Sequence, residues 1–267
     1  MMDILNMFAL EDKVAIVTGA GSGIGRAIAL GFAEAGARVA TVDIHEQDVK
    51  ETVSSIQSAG GDAISIVADV SKESDAQDMV KTTLKEFDRI DIGVNNAGIL
   101  GEPTLAHNLK KESWDRVIAV NLTGVFLCSK EEIKVMLEKK KGKIINIASV
   151  AGYLGMGGMI MDLPAYPAAK GGVVNLTREL ALEYAKSGIN INAIAPGWFP
   201  SKLGNELFAG KEGKEKEAFF EDVSKYTPMG RIGELEELQG VAIFLASRAS
   251  DYVTGHILTV DGGWSLW

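Results

Sequence analysis

Cys128 is the only cysteine among 267 residues, so the chain can form neither an internal disulfide nor a cysteine-built zinc site. Positive charge is also scarce, with 27 lysines and arginines against 36 aspartates and glutamates and a formal net charge of -9. Nucleic-acid affinity comes largely from lysine and arginine on phosphates, so a duty resting on polyanions is excluded. A phosphate held by backbone amides is not. The apolar runs are too short and too interrupted to span a bilayer. Met1 to Leu10 carries Asp3 and no basic stretch ahead of its apolar residues, and does not read as a secretion signal. The expected setting is soluble, reducing and cytoplasmic, with neither nucleic acid nor membrane as a partner and no bound metal.

With 46% hydrophobic and 24% charged residues, the composition is that of a chain with a packed core rather than a disordered one. Thirty glycines against six prolines favour one large domain, residues 1–267. Short β-branched runs alternate with stretches of helical period that tend to close on glycine, as at Gly36, Gly61, Gly142 and Gly188. Strands are predicted at Val14 to Thr18, Arg38 to Asp43, Ala63 to Ala68, Asp91 to Asn95, Lys143 to Ala148, Asn190 to Ile194 and Ile257 to Val260. Helices are predicted at Ile24 to Ala35, Gln47 to Ser58, Glu73 to Phe87, Ser113 to Lys140, Pro167 to Lys186 and Leu235 to Ser247. Parallel neighbours require crossover helices, so the pattern predicts an α/β fold with a doubly wound, seven-stranded parallel sheet and helices on both faces. Lys139 to Lys141 complement the end of a helix rather than form a basic patch. Residues 203–226 break the rhythm and are expected to form a substrate lid.

The segment Thr18-Gly19-Ala20-Gly21-Ser22-Gly23-Ile24-Gly25 joins the first strand to the first helix. Its pattern is T-G-x-x-x-G-x-G. Gly19 supplies a tight turn, and Gly23 and Gly25 let backbone approach a pyrophosphate at a helix N-terminus. Asp43 ends the second strand, where a carboxylate can accept hydrogen bonds from the adenosine ribose and repel a 2′-phosphate. With Ile44 beside it and Ser22 rather than a basic residue in the loop, NAD is favoured over NADP. Asp69 and Val70 are expected to flank the adenine, and Asn96, Ala97 and Gly98 to let the cofactor lie along the strand tips. Ser149 ends the fifth strand, and Tyr166 and Lys170 lie one helical turn apart on one helix face, with Pro167 fitting the first turn.

These motifs, together with NAIAPG from Asn192 to Gly197 and VDGG from Val260 to Gly263, span nearly the whole chain, which resembles the short-chain dehydrogenase/reductase family. The resemblance implies a Rossmann fold of strand order 3-2-1-4-5-6-7 and a catalytic tetrad at Asn121, Ser149, Tyr166 and Lys170. Tyr166 would be the general acid/base, with its pKa lowered by Lys170, which would also hold the nicotinamide ribose. Ser149 would donate to the substrate oxygen, and the Asn121 amide would hold a water leading from Lys170 to solvent. Pro196, Gly197, Phe199 and Ser201 would contact the carboxamide. Parts of the chain are similar to dehydrogenases of sugar acids or polyols and parts to 3-oxoacyl-thioester reductases, which leaves the small-molecule substrate open. Met156, Met159, Ile160, Met161 and Leu163 are candidates for an apolar wall, with Arg231 and Lys202 the basic residues in reach of the pocket. A non-catalytic dinucleotide sensor is the alternative of another class. Family members usually form tetramers, so a homotetramer is expected, with the apolar tail from Trp264 to Trp267 at an interface.

Overall fold

The computed structural model describes residues 4–157, 162–200 and 214–266. Its strands are β1 (Val14–Thr18), β2 (Arg38–Asp43), β3 (Ala63–Val67), β4 (Ile92–Asn95), β5 (Gly142–Ile147), β6 (Ile189–Pro196) and β7 (Ile257–Val260). All neighbours are parallel, in the order β3-β2-β1-β4-β5-β6-β7. The helices are α1 (Gly23–Glu34), α2 (Glu46–Ser58), α3 (Glu73–Phe87), α4 (Lys111–Ile118), α5 (Gly124–Lys139), α6 (Ala165–Tyr184), α7 (Lys214–Tyr226) and α8 (Leu235–Ala246).

Successive side chains leave a strand on opposite faces. In β1, Val14 and Ile16 accordingly enter one buried cluster, and Ala15 and Val17 the other. Phe32, Ile56 and Leu238 bring α1, α2 and α8 onto one face; Met79, Met136 and Leu180 bring α3, α5 and α6 onto the other. Full burial of each such side chain is worth about 1.5–3 kcal/mol, which makes this two-sided core the main source of stability.

Several expectations need correction. The helix expected from Ser113 to Lys140 is α4, a π turn at Ala119–Thr123, and α5. The interruption coincides with Asn121, whose side chain bonds to backbone elsewhere. Lys140, rather than Gly142, takes the left-handed closing position of α5, and Gly142 opens β5. Of the expected lid, residues 203–213 lie outside the described residues and the remainder belongs largely to α7. Trp264 is only 8% exposed within its own chain, edge-on to Trp198 with ring centroids 6.2 Å apart. Leu266 is exposed, and Trp267 lies outside the described residues. Part of the tail's apolar surface is therefore covered by its own subunit. No helix among the described residues is long and apolar enough to cross a membrane.

Candidate active site

Thr18, Asp43, Asn95, Ile147 and Pro196 end their strands at the carboxyl edge of the sheet. The chain order reverses between β1 and β4, opening the crevice in which sheets of this kind bind ligands.

The glycine loop is fastened to the tip of β4. Thr18 Oγ1 donates to the Val94 carbonyl (3.2 Å) and accepts from the amides of Asn96 (3.0 Å) and Ala97 (3.2 Å). In return, Asn96 Nδ2 donates to the carbonyls of Thr18 (2.9 Å) and Gly19 (3.2 Å). Gly19 has φ +66°, a left-handed conformation that glycine adopts without steric cost. At Gly25 a Cβ would overlap the Gly19 carbonyl and the Asn96 amide, so a glycine is required there by the protein's own packing. Ser22 stands at the N-cap of α1 without a side-chain cap hydrogen bond, and the first turn holds no acidic residue. The helix amides thus have no side-chain cap, an arrangement that fits a phosphate. Asp43 braces the same loop, its Oδ2 accepting from the Gly21 amide (3.1 Å) and its Oδ1 from the His45 amide (3.1 Å). Ile44, next to it, is exposed.

Asp69 Oδ1 accepts from both the amide (3.1 Å) and the hydroxyl (2.6 Å) of Ser71, and the hydroxyl bond chiefly holds its carboxyl below the usual range. Val70 is buried and packs where Gly124 opens α5.

At the other end, Ser149 Oγ accepts from the Ala151 amide (3.2 Å), which leaves its hydrogen to point elsewhere. It is hydrogen-bonded to the half-buried Tyr166 hydroxyl. The Lys170 ammonium donates to the Ile147 carbonyl (2.6 Å) and lies 5.7 Å from the Tyr166 ring centroid. Burial lowers the Lys170 pKa to about 8. Burial also raises that of Tyr166, with the Ser149 hydrogen bond opposing it. Without a bound cofactor, desolvation is thus the larger influence on the phenol.

Asn121 is fully buried. Its Nδ2 donates to the Ile99 carbonyl (2.7 Å) and its Oδ1 accepts from the Ile99 amide (2.8 Å). The side chain is a clamp between the π turn and the segment after Gly98. Insertions of this kind in a helix are frequent at functional sites.

A cavity of about 380 Å³ joins the two ends. Of the residues expected from the sequence, Ile24, Asn96, Gly98, Ser149, Tyr166, Lys170, Pro196, Gly197 and Phe199 line it. Gly19, Ser22, Gly23, Gly25, Asp43, Asp69, Val70, Ala97 and Asn121 do not, and Ser201 lies outside the described residues, as do Met159, Ile160, Met161 and Lys202. Met156 and Leu163 do form part of the wall. Leu100, Leu105, Asp162, Pro164 and Trp198 line it without having been singled out, because nothing in their local pattern distinguishes them from loop residues. Arg231 is held at bidentate distance by Glu237 (2.7 and 2.6 Å) and does not line the cavity.

Comparison with known proteins agrees with this geometry. Residues 19–265 match a family model described as enoyl-(acyl carrier protein) reductase. The chain is 41% identical over 259 residues to a 3-oxoacyl-[acyl-carrier-protein] reductase of Synechocystis, covering 96% of this chain and 98% of the relative. It is 40% identical over 262 residues to a 2-dehydro-3-deoxy-D-gluconate 5-dehydrogenase of Dickeya dadantii, covering 98% of each. Among solved structures, a gluconate 5-dehydrogenase from Burkholderia cenocepacia in complex with NADP and tartrate superposes with a TM-score of 0.90. It is 35% identical, over 99% of this chain and 100% of that one.

Proposed function

Since the chain belongs to the short-chain dehydrogenase/reductase family and is an oxidoreductase of that class, we propose that it transfers a hydride between NAD(H) and a secondary alcohol or ketone. The observation that carries this reading is the grouping of Ser149, Tyr166 and Lys170 at one end of a cavity whose other wall is the glycine-loop end of the sheet. A bound nicotinamide supplies or accepts the hydride. The side chains do the rest. Tyr166 Oη gives its proton to the carbonyl oxygen in reduction and takes it back from the alcohol in oxidation. Ser149 Oγ, oriented by the Ala151 amide, donates to the same oxygen as charge develops. Lys170, anchored on Ile147, places an ammonium beside the phenol, where it favours the phenolate left after proton transfer. Asn121 positions the loop beyond Gly98 through Ile99.

Asp43 supports NAD(H), although the Burkholderia relative was solved with NADP. A 2′-phosphate near this carboxylate would add like charge at the end of β2. The expected kcat/KM with NADH exceeds that with NADPH by about tenfold or more, and Asp43→Asn narrows the ratio by about tenfold. Steady-state rates with both cofactors check this. A wild-type preference for NADPH would remove Asp43 from the argument and favour a biosynthetic thioester reductase. Cofactor binding without turnover across a broad panel of alcohols and ketones would favour a sensor.

The homotetramer belongs to the same proposal. Phe126 and Leu137 on α5 and Leu182 on α6, the last 79% exposed, are apolar side chains that assembly would cover. Light scattering at micromolar concentration should report four chains; a monomer would refute it.

A further inference from the structure

Behind the strand ends that carry the site lies a buried polar cluster that the proton transfer does not use. Asn95 ends β4 and faces Asn146 of β5 in register; both are buried, as are Ser129 and Glu132 of α5 and Thr177 of α6. Asn95 Nδ2 lies within hydrogen-bond distance of Ser129 Oγ (3.0 Å), Asn146 Oδ1 (3.1 Å) and Glu132 Oε2 (3.2 Å). Asn146 Nδ2 in turn donates to Thr177 Oγ1 (3.0 Å). Both strands continue directly into the site. Asn96, next to Asn95, bolts the glycine loop to β4, and Ile147, next to Asn146, anchors Lys170.

The Glu132 carboxyl lies against Gly93 of β4, where a Cβ would overlap it. Glycine inside a strand weakens it and marks the close approach of another group. Two oxygens of the cluster have no donor among the described residues, Asn95 Oδ1 and Glu132 Oε1. They belong to the two partners of one hydrogen bond, whose other atoms, Nδ2 and Oε2, already meet. A carboxylate would leave both acceptors orphaned in the interior, at substantial cost. A carboxylic acid satisfies both with one proton, because its O–H is a donor that an amide oxygen accepts.

No cation among the described residues offsets an ionised form. The groups that β4, β5 and α6 present to the cluster are uncharged. Lys143 of β5 pairs with Asp251, Lys170 of α6 is held by Ile147, and Lys130, Glu131 and Lys134 of α5 form ion pairs with one another and with Glu73 of α3. The titratable neighbour is the Cys128 thiol, one turn earlier on α5, itself buried and pushed up by burial and by Glu132. Burial accordingly moves the Glu132 carboxyl up to about 8.

Resting on the oxidoreductase reading above, we propose that Glu132 works as a neutral acid, its Oε1–H donating to Asn95 Oδ1, and that this acid–amide pair is a positioning device for the cofactor. It holds the tips of β4 and β5, and through Asn96 the glycine loop, in the arrangement that binds NAD(H). Loss of the proton sets carboxylate oxygen against amide oxygen and loosens the tip.

Two measurements on the full-length protein test this. Infrared difference spectra, wild type minus Glu132→Gln at about pH 6, should show the carbonyl stretch of a protonated carboxylic acid. Wild-type spectra at about pH 6 and about pH 9 read the same band without the variant, so the result does not depend on the variant folding. The second measurement is titration with NADH, and in parallel NADPH, followed by nicotinamide fluorescence. Glutamine offers the same donor and acceptor at every pH, so the variant should match wild type at about pH 6.5. At about pH 9 it should bind the cofactor about fivefold more tightly than wild type, or better. The titration of Lys170 is common to both proteins and cancels in the ratio. Absence of the band at about pH 6, or a ratio equal at the two pH values, overturns the proposal and leaves the reaction class intact. No binding of either nucleotide overturns the oxidoreductase reading and the positioning role with it, while the band alone still decides where the proton sits.

Discussion

Tyr166→Phe is expected to fold, to bind NADH with near-normal affinity, and to turn over about 10³-fold more slowly or worse. The ring itself packs beside Val117, Ala165 and Ala169, contacts that phenylalanine keeps. Only the hydroxyl is lost, and with it the hydrogen bond to Ser149 and the proton. Positioned general acid/base groups contribute about 10²–10⁴ in rate, so a 10³-fold loss corresponds to about 4 kcal/mol of barrier. The protonation state adds a second signature. Reduction uses the phenol and oxidation the phenolate, so with the phenol pKa raised by burial, reduction holds as pH rises until the phenol ionises, while oxidation gains over the same range. Rates in both directions across pH, with cofactor affinity from nicotinamide fluorescence, check both parts. A Phe variant with normal turnover would exclude Tyr166 as the proton donor.

Glu132→Gln is expected to stabilise the protein increasingly from acid to mildly alkaline pH. Glu132 is fully buried on α5, and burial raises its carboxyl pKa to about 8, well above the ordinary carboxylate range; a hydrogen bond from Asn95 Nδ2 (3.2 Å) partly opposes the rise. Asn95 Nδ2 also donates to Ser129 (3.0 Å) and Asn146 (3.1 Å), so the carboxyl sits in a polar pocket between α5, β4 and β5. Its second oxygen has no protein donor. Because the folded chain holds this proton more tightly than the unfolded chain, stability is greatest below the unfolded pKa and is lost as pH rises through the folded one. The loss amounts to roughly 3–5 kcal/mol between about pH 4.5 and pH 8. Glutamine keeps the shape and carries no titrating proton, so the variant lacks this contribution to the slope. Denaturant unfolding of both proteins at about pH 5 and about pH 9 measures the difference; identical pH dependence would show that the fold does not shift the Glu132 carboxyl.

The fold was legible because its causes are local. Period-two apolar runs mark strands, helical periods mark crossovers, and parallel pairing then leaves few arrangements for seven strands. Tyr166 and Lys170 were legible because one helical turn places them together, and Thr18 to Gly25 because a strand-to-helix turn has few solutions. What stayed hidden depends on partners distant in sequence. Nothing around Asn121 announces that Ile99 will engage both ends of its amide. Nothing around Gly25 shows that Asn96 will pack against it. Arg231 looks like a possible substrate ligand until Glu237, in the first turn of α8, takes both its terminal guanidinium nitrogens. The desolvation of Tyr166 and Lys170 stayed hidden for the same reason: charge can be read from spacing, whereas desolvation depends on everything packed around the group.

Trp198 lines the cavity and meets Trp264 edge-on. An indole in that position is an optical label the chain carries by itself. A molecule that fills this part of the cavity changes the polarity around Trp198, and its emission colour follows. Reduced nicotinamide absorbs where tryptophan emits, so docking of NADH would appear as quenching, a separate signal. The same protein, unlabelled, thus distinguishes occupation of its two half-sites before any turnover is sought.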